Sequence, residues 1–235
     1  MPLRLPELVK DHEVLIAPIV SSGKDCKLIM KHWVKKYQRA PDFIVIEGAL
    51  AGGHLGFKKE DLENQTYQSL EEIFQEVEQV VESFHLNIPI FVAGGIHQRS
   101  DVKYFFELGV DGVQVASRFI PTYECDASMK YKEAFLKAKK EEVGLVSSPV
   151  GMPGRAFQNA FVQKTKQEKV PIKKCYQCLT PCNLKTTPYC ISRALIEAVK
   201  GNLDEGLIFT GAYGYMQDHL MHVEEVIHEL MEDEK

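Results

Sequence analysis

The part of this sequence best suited to chemistry runs from residue 43 to residue 56, where an apolar run passes into a glycine-rich loop. Residues 43–46 are typical of a strand buried on both faces. Gly52 and Gly53 then precede His54. Glycines let a backbone approach a ligand closely, and an imidazole titrates near neutral pH. We therefore predict a ligand site beyond the carboxyl end of this strand.

Four clustered cysteines form a second candidate site. Cys175, Cys178, Cys182 and Cys190 follow the spacing Cys-x2-Cys-x3-Cys-x7-Cys. In a reducing compartment, clustered thiols indicate a metal site or redox chemistry rather than a disulfide scaffold. Four such ligands can close a tetrahedral zinc site or hold an iron–sulfur cluster. The alternative is a set of reduced thiols in a loop.

Alternating strands and helices must position these residues. Strands are predicted over residues 12–20, 43–46, 89–93 and 110–116. The alternation predicts a parallel sheet whose ligands gather beyond the carboxyl ends of the strands, and it fits both an open sheet and a closed barrel. Helices are predicted over residues 26–37, 69–84, 100–108, 127–142, 191–200 and 223–231.

The alternation lapses after Val143. Residues 146–170 contain a run of serine, proline and glycine that predicts a covering loop, and a short strand is expected over residues 206–211. We interpret residues 146–190 as a lid and cysteine-rich segment inserted within one domain that covers residues 1–235.

Composition limits the class of protein. Of the 235 residues, 45% are hydrophobic, which is enough for a real core. The net charge of −5, without a long basic cluster, argues against nucleic acid or an anionic membrane as partner. The amino terminus lacks an apolar signal region, and apolar runs stay below the ~20 residues of a membrane span. We expect a cytoplasmic protein.

Three motifs resemble the nitronate monooxygenase family, formerly called 2-nitropropane dioxygenases, and the related flavin-dependent enoyl-acyl-carrier-protein reductases. They are Glu-Gly-Ala-Leu-Ala-Gly-Gly-His at residues 47–54, Ala-Gly-Gly-Ile at 93–96 and Leu-Gly-Val-Asp-Gly-Val-Gln-Val-Ala-Ser-Arg-Phe at 108–119. Each is weak alone, but their order at successive strand ends is specific. The resemblance implies an α/β fold of the TIM-barrel type, with FMN at the carboxyl-end face.

The resemblance also assigns residues. His54 corresponds to a histidine that lies over the flavin and acts as a base or hydrogen-bond partner, although a lone histidine is often structural. The glycine pair at Gly94 could also be no more than a tight turn. The resembling enzymes often have glutamine where Glu47 stands, and Gly-Thr where Ala116 and Ser117 stand. The implied FMN contacts are Glu47, Gly52, Gly53, Gly94, Gly95, Gln114, Val115, Ala116 and Ser117.

The implied reaction is the oxidation of a nitronate or nitroalkane by O2 to a carbonyl compound and nitrite. One alternative is an enoyl-thioester reductase that uses FMN and NAD(P)H. Another is a non-catalytic flavin-binding fragment, because the matching begins at what would be the fifth strand of an eight-stranded barrel. A partial barrel leaves open edges, so we expect a truncated frame, a complementary half chain, or a homo-oligomer.

Overall fold

The computed structural model describes residues 1–179 and 182–232, and its centre is a four-stranded parallel sheet. The strands are β1 (Ile19–Val20), β2 (Ile44–Glu47), β4 (Ile90–Ala93) and β5 (Gly112–Gln114), in the order β1-β2-β4-β5. Each neighbouring pair is parallel. The predicted α/β class with parallel strand and helix units is confirmed, and the sheet is open, with β1 and β5 at its edges.

The register of this sheet aligns the carboxyl ends of its strands. Glu47 pairs with Ala93, and Ala93 pairs with Gln114. The three loops that follow therefore start at one level along the same edge. This alignment brings together segments that are far apart in the sequence.

Helices cover the sheet, and their caps match the sequence signals. Ser69 accepts a hydrogen bond from the Glu72 amide while the Glu72 side chain bonds the Ser69 amide, which is a complete capping box. Gly109 ends another helix at φ 103°. The helices are α1 (Leu5–Leu8), α2 (Gly23–Tyr37), α3 (Lys59–Asn64), α4 (Leu70–Ser83), α5 (Arg99–Leu108), α6 (Met129–Lys137), α7 (Ala160–Gln167), α8 (Ile191–Val199) and α9 (Val223–Met231).

The main core lies between the sheet and helices α2 and α4. Trp33 of α2, Ile46 of β2 and Val77 of α4 are fully buried. The predicted apolar stripes of these two helices are therefore confirmed as the faces that pack on the sheet. Within the described ranges, we find no helix with the length and apolar character needed to cross a membrane.

Three predicted elements are shorter than expected, and one of them is the strand predicted over residues 110–116, which covers only Gly112–Gln114. The first strand was expected over residues 12–20 but covers only Ile19–Val20, because Pro18 has no N–H to donate and Val14 and Leu15 are exposed. The helix expected over residues 127–142 ends at Lys137, since Ala138 takes an extended conformation. A short 3-10 turn follows at Lys140–Glu142.

A second sheet replaces much of the predicted covering loop. It consists of β3 (Gly53–His54), β6 (Val143–Ser147) and β7 (Pro153–Phe157), in the antiparallel order β3-β7-β6. The predicted serine, proline and glycine loop is therefore confined to the turn between β6 and β7, and the rest of residues 146–170 is largely strand and helix α7. The strand expected over residues 206–211 was wrong, because this segment makes only an isolated bridge from Phe209 to Ala156.

Candidate active site

One cleft of about 410 Å³ opens at the carboxyl ends of β2, β4 and β5. The aligned register of the three strands places their loops around it. The loop that leads into the second sheet closes another side. The lining includes every residue that the sequence assigned to the cofactor, namely Glu47, Gly52, Gly53, Gly94, Gly95, Gln114, Val115, Ala116 and Ser117.

The glycine pair after β4 is required by closely packed neighbours as well as by its own conformation. Gly94 and Gly95 adopt φ values of 92° and 83°, which side chains rarely allow. A Cβ on Gly94 would lie 2.8 Å from the Ala51 amide nitrogen, and one on Gly95 would lie 2.9 Å from Leu50 Cδ1. The tight turn expected from the sequence is real, and it lines the cleft as well.

The loop before His54 is held from two sides. Arg155 Nη1 donates to the carbonyl oxygens of Ala49 and Ala51, at 2.6 Å each. A Cβ on Gly52 would lie 2.5 Å from the Gly211 amide nitrogen, so this approach needs glycine. Gly53 differs, because a Cβ there would meet nothing within 4 Å, and its φ of 74° is the reason for glycine.

Hydrogen-bond donors remain available along the floor of the cleft. Throughout the described part of the chain, no acceptor takes a hydrogen bond from the amides of Gly94 and Gly95. The Ser117 hydroxyl oxygen accepts a bond from the Gly211 amide at 3.0 Å, which leaves the hydroxyl hydrogen free to donate. Glycine-rich loops with free amides can hold a phosphate group.

Glu47 brings an unusual carboxyl group into this cleft. It stands at the end of β2 and is half-buried. Burial raises the pKa of Glu47 from 4.5 to about 7. Its side chain has no hydrogen-bond or ion-pair partner within residues 1–179 and 182–232. Below pH 7 the carboxyl is mostly protonated and can donate a hydrogen bond to a ligand.

His54 lies at the rim of the cleft rather than in its lining. Its Nε2 is 2.6 Å from Ser148 Oγ, and its ring packs edge-on against Phe209, with 5.0 Å between ring centroids. Phe209 does line the cleft, as does the adjacent Gly53. Burial lowers the pKa of His54, so its imidazole is neutral at pH 7 and can accept a proton. Its catalytic role stays a prediction.

The sequence analysis missed His97, which is buried and lines the cleft. Burial and the nearby charge of Arg118 lower the pKa of His97 to about 4, so the ring is neutral. Arg118 Nη1 donates to the His97 carbonyl at 3.1 Å and also pairs with Glu229 of α9. The sequence signal that could have identified His97 is the motif Gly-Gly-Ile-His, which resembles the Gly-Gly-His that ends at His54.

Two other residues of the region have structural roles. Asn159 caps α7 by accepting the Val162 amide, and its Nδ2 donates to the carbonyls of Leu203 and Gly206. Arg155 holds the glycine loop, as described above. Tyr213 lies in the lining of the cleft.

The predicted metal ligands are in a different place. Cys175, Cys178, Cys182 and Cys190 are free thiols that line a separate cavity. Across the residues that the structure describes, no three histidine, cysteine or acidic side chains are gathered closely enough to hold a metal ion. The four thiols are thus neighbours around one space, without being assembled as a coordination sphere.

Comparison with known proteins finds several relatives of this chain. The family model for nitronate monooxygenase matches residues 6–233. The probable nitronate monooxygenase of Staphylococcus saprophyticus is 31% identical over 126 residues, which cover 54% of this chain and 34% of that protein. Its counterpart in Bacillus subtilis is 27% identical over 130 residues. The matched segment spans about a third of the length of these curated relatives.

Solved structures share the fold. FabK from Thermotoga maritima has a TM-score of 0.72 at 22% identity, and the match covers 98% of this chain and 64% of that one. The nitroalkane oxidase from Streptomyces ansochromogenes has a TM-score of 0.69 at 18% identity, covering 98% of this chain and 61% of that one. At these identities the likeness establishes the architecture alone.

Proposed function

This chain belongs to the nitronate monooxygenase family, and from that premise we propose that its cleft binds FMN and oxidises a nitronate or nitroalkane with O2. The products would be a carbonyl compound and nitrite. The observation that carries the proposal is the convergence of all nine predicted cofactor contacts on one cleft. The flavin would supply the electron transfer, and the chain would supply binding, orientation and proton handling.

The cleft fits a phosphorylated cofactor. Its volume of about 410 Å³ lies within the usual range for small-molecule sites, roughly 300–1,000 Å³. The free amides of Gly94 and Gly95 and the hydroxyl hydrogen of Ser117 would donate to the phosphate. Gly53 leaves the opposite side bare of bulk, because no atom lies within 4 Å of a Cβ position there.

Glu47 would act on the ring of the flavin as a hydrogen-bond donor. A full negative charge at this place would oppose an anionic reduced ring. Because burial raises the pKa of Glu47 to about 7, the carboxyl is mostly neutral in mildly acidic solution and donates as a glutamine amide does. The glutamine common in the resembling enzymes is thus replaced by a group of similar shape and hydrogen-bonding ability.

His54 would position the substrate or remove its proton. The lowered pKa of His54 keeps the imidazole neutral and able to accept a proton from carbon next to a nitro group. The 2.6 Å contact with Ser148 Oγ fixes the plane of the ring at the rim of the cleft. A substrate bound in the cleft would then meet this ring beside Gly53, which lines the cleft next to His54.

The test uses the full chain of 235 residues. FMN is titrated into the purified protein and the visible absorption is recorded, after which nitrite release is measured in air without NADPH, from propionate 3-nitronate and from its neutral nitroalkane form. We expect FMN uptake and nitrite release. His54→Ala should keep FMN and lose most nitrite release from the neutral nitroalkane, which still carries the proton that His54 would remove, whereas His12→Ala, which truncates an exposed histidine, should retain FMN and nitrite release.

The other outcomes separate the alternatives. Reduction of a crotonyl thioester by NADPH, without nitrite release, would assign the chain to enoyl-thioester reduction. FMN uptake without either activity would favour the non-catalytic flavin-binding alternative, and a colourless protein that takes up no FMN would overturn both enzyme readings. Unchanged nitrite release by His54→Ala would show that this histidine is structural.

A further inference from the structure

Four of the six cysteines surround one cavity that shares no lining residue with the flavin cleft. Its volume is about 330 Å³, and all four cysteines are free thiols. The cysteines are Cys175, Cys178, Cys182 and Cys190, and the apolar residues around them are Pro149, Ile172, Leu179, Leu184 and Ile191, with Tyr176 and Tyr189.

Packing does not account for these thiols. A free cysteine is among the most buried residue types, because it behaves as a small apolar side chain. Cys26 of α2 follows this rule and is 1% exposed. Cys175 and Cys178, in contrast, are exposed, and Cys182 and Cys190 are only partly buried. Cysteines at exposed or partly exposed positions are better explained by what their thiol groups can bind or react with.

The segment that carries them lacks regular structure. In its described part, the stretch from Glu168 to Cys190 between α7 and α8 contains neither helix nor strand. Connections of this length in a compact domain are usually functional or are disordered linkers. Its ends are drawn together, because Val170 N donates to Pro188 O at 2.9 Å and Lys169 Nζ donates to the Leu184 carbonyl at 2.9 Å.

Two backbone features hold cysteines at this cavity. Gln177 has a positive φ of 51°, and its amide donates to Cys175 Sγ at 3.3 Å. Cys190 occupies the N-cap position of α8, so the start of this helix fixes its place. These features lie at opposite ends of the cysteine cluster.

The charge of the segment complements a thiolate centre. Residues 169–190 contain four lysines and no aspartate or glutamate, although acidic residues exceed basic ones in the whole chain. One Zn²⁺ with four thiolates carries a net charge of about −2, as does a common form of the four-thiolate iron–sulfur cluster. The surrounding lysines would partly neutralise it.

We propose that Cys175, Cys178, Cys182 and Cys190 bind a thiophilic metal centre through four thiolates, with a single tetrahedral Zn²⁺ as the favoured occupant. Coordination would draw the four sulfur atoms, which already line one cavity, to about 2.3 Å from the ion. The four thiols lose four protons and the ion gains four sulfur bonds, with no change of oxidation state. An iron–sulfur cluster uses the same ligands, and the experiment separates the two.

The centre would also support the rim of the flavin cleft. Pro149 lines the cysteine cavity, and Tyr189 Oη donates to the Ser147 carbonyl at 3.3 Å. Between them, Ser148 Oγ lies 2.6 Å from His54 Nε2. A metal centre would therefore fix the turn that holds His54. This consequence rests on the proposed function, whereas metal binding itself does not.

The experiment measures metal in FMN-free protein prepared without oxygen and with a thiol reductant. Elemental analysis is expected to find about one zinc per chain. After chelation, Co²⁺ added to the protein should give the intense sulfur-to-cobalt absorption of a tetrathiolate site. Cys178→Ser should lower the affinity for Zn²⁺ at least tenfold in competition with a chromophoric chelator. Cys125→Ser is the matched control, because Cys125 lies outside the cluster and should leave affinity unchanged.

The outcomes decide the proposal. Iron and inorganic sulfide at the four cysteines would confirm the site and change its occupant to a cluster. Protein that holds neither metal, and gives no cobalt–sulfur absorption while all thiols react as reduced, would overturn it. The cobalt spectrum of the wild-type chain keeps this test valid even if Cys178→Ser misfolds. Metal binding without nitrite release would refute the proposed function and leave this site intact.

Discussion

Replacing Glu47 with glutamine should stabilise the protein in a pH-dependent way. The substitution keeps the shape of the side chain and removes its ionisation. Burial raises the pKa of Glu47 from 4.5 to about 7. At about 1.4 kcal/mol for each tenfold change in the acid dissociation constant, ionising Glu47 in the folded protein therefore costs at most roughly 3–4 kcal/mol. The side chain borders a solvent-accessible cleft, which makes this an upper value.

The direction of this pH effect follows from the pKa of Glu47 in the unfolded and in the folded protein. The unfolded chain releases the Glu47 proton near pH 4.5 and the folded protein near pH 7, so the folded state binds more protons between these values. The wild-type protein therefore loses stability from this group as pH rises through that window, and the loss is complete above pH 7. Glutamine does not titrate. The stability advantage of Glu47→Gln should grow by roughly 2 kcal/mol between pH 5 and pH 8.

Urea unfolding of FMN-free protein at the two pH values, followed by circular dichroism, measures this difference. Glu13→Gln is the control, because it removes an exposed carboxylate that lies far from the cleft. Its effect should be similar at both pH values. If Glu47→Gln and the wild type respond equally to pH, Glu47 ionises normally in the folded protein and its role as a neutral donor is wrong.

Three further predictions concern the same loops. Ser148→Ala should lower kcat for nitronate oxidation several-fold with little change in KM and should shift the pH profile, since it removes the hydroxyl beside His54 Nε2; an unchanged profile would contradict this. Arg155→Met should destabilise the fold by about 2–3 kcal/mol in urea unfolding, because two loop carbonyls lose a charged donor. Gly94→Ala should cost more stability than Gly109→Ala. Both glycines have a positive φ, but only at Gly94 would the added Cβ meet neighbouring backbone, the Ala51 nitrogen at 2.8 Å. Equal losses of stability would show that this crowding does not matter.

Local signals in the sequence were sufficient for most helices. The capping box at Ser69 and the end of α5 at Gly109 appear in the structure as expected, and the last helix covers Val223–Met231. These features depend on residues within one or two turns of each other, so a short window contains all the information. The parallel direction of the four strands followed from the alternation of strands and helices, whereas their order is known only from the structure.

The second sheet depends on contacts between residues that lie far apart in the sequence, so no short stretch of sequence contains both partners. Its strand β3 has only two residues, Gly53–His54, and pairs with Arg155 and Gly154 of β7. Glycine is depleted in strands, and an alternating apolar pattern needs more than two residues to be visible. Pairing across this distance is decided by tertiary packing. His97 was missed for a related reason, because only the sheet register places it at the cleft.

The glycines of the cleft show why two interpretations of one motif need not compete. Gly94 and Gly95 are required by their backbone conformation and by the close approach of Leu50 and Ala51, which are both features of a tight turn. In this turn, the amides of Gly94 and Gly95 donate no hydrogen bond to an acceptor in the described part of the chain. A turn that must be glycine for steric reasons thus also offers donors to a phosphate. Substitution there will affect folding and cofactor binding together, whereas Glu47, which lines the cleft without belonging to the glycine turn, can report on the cleft by itself.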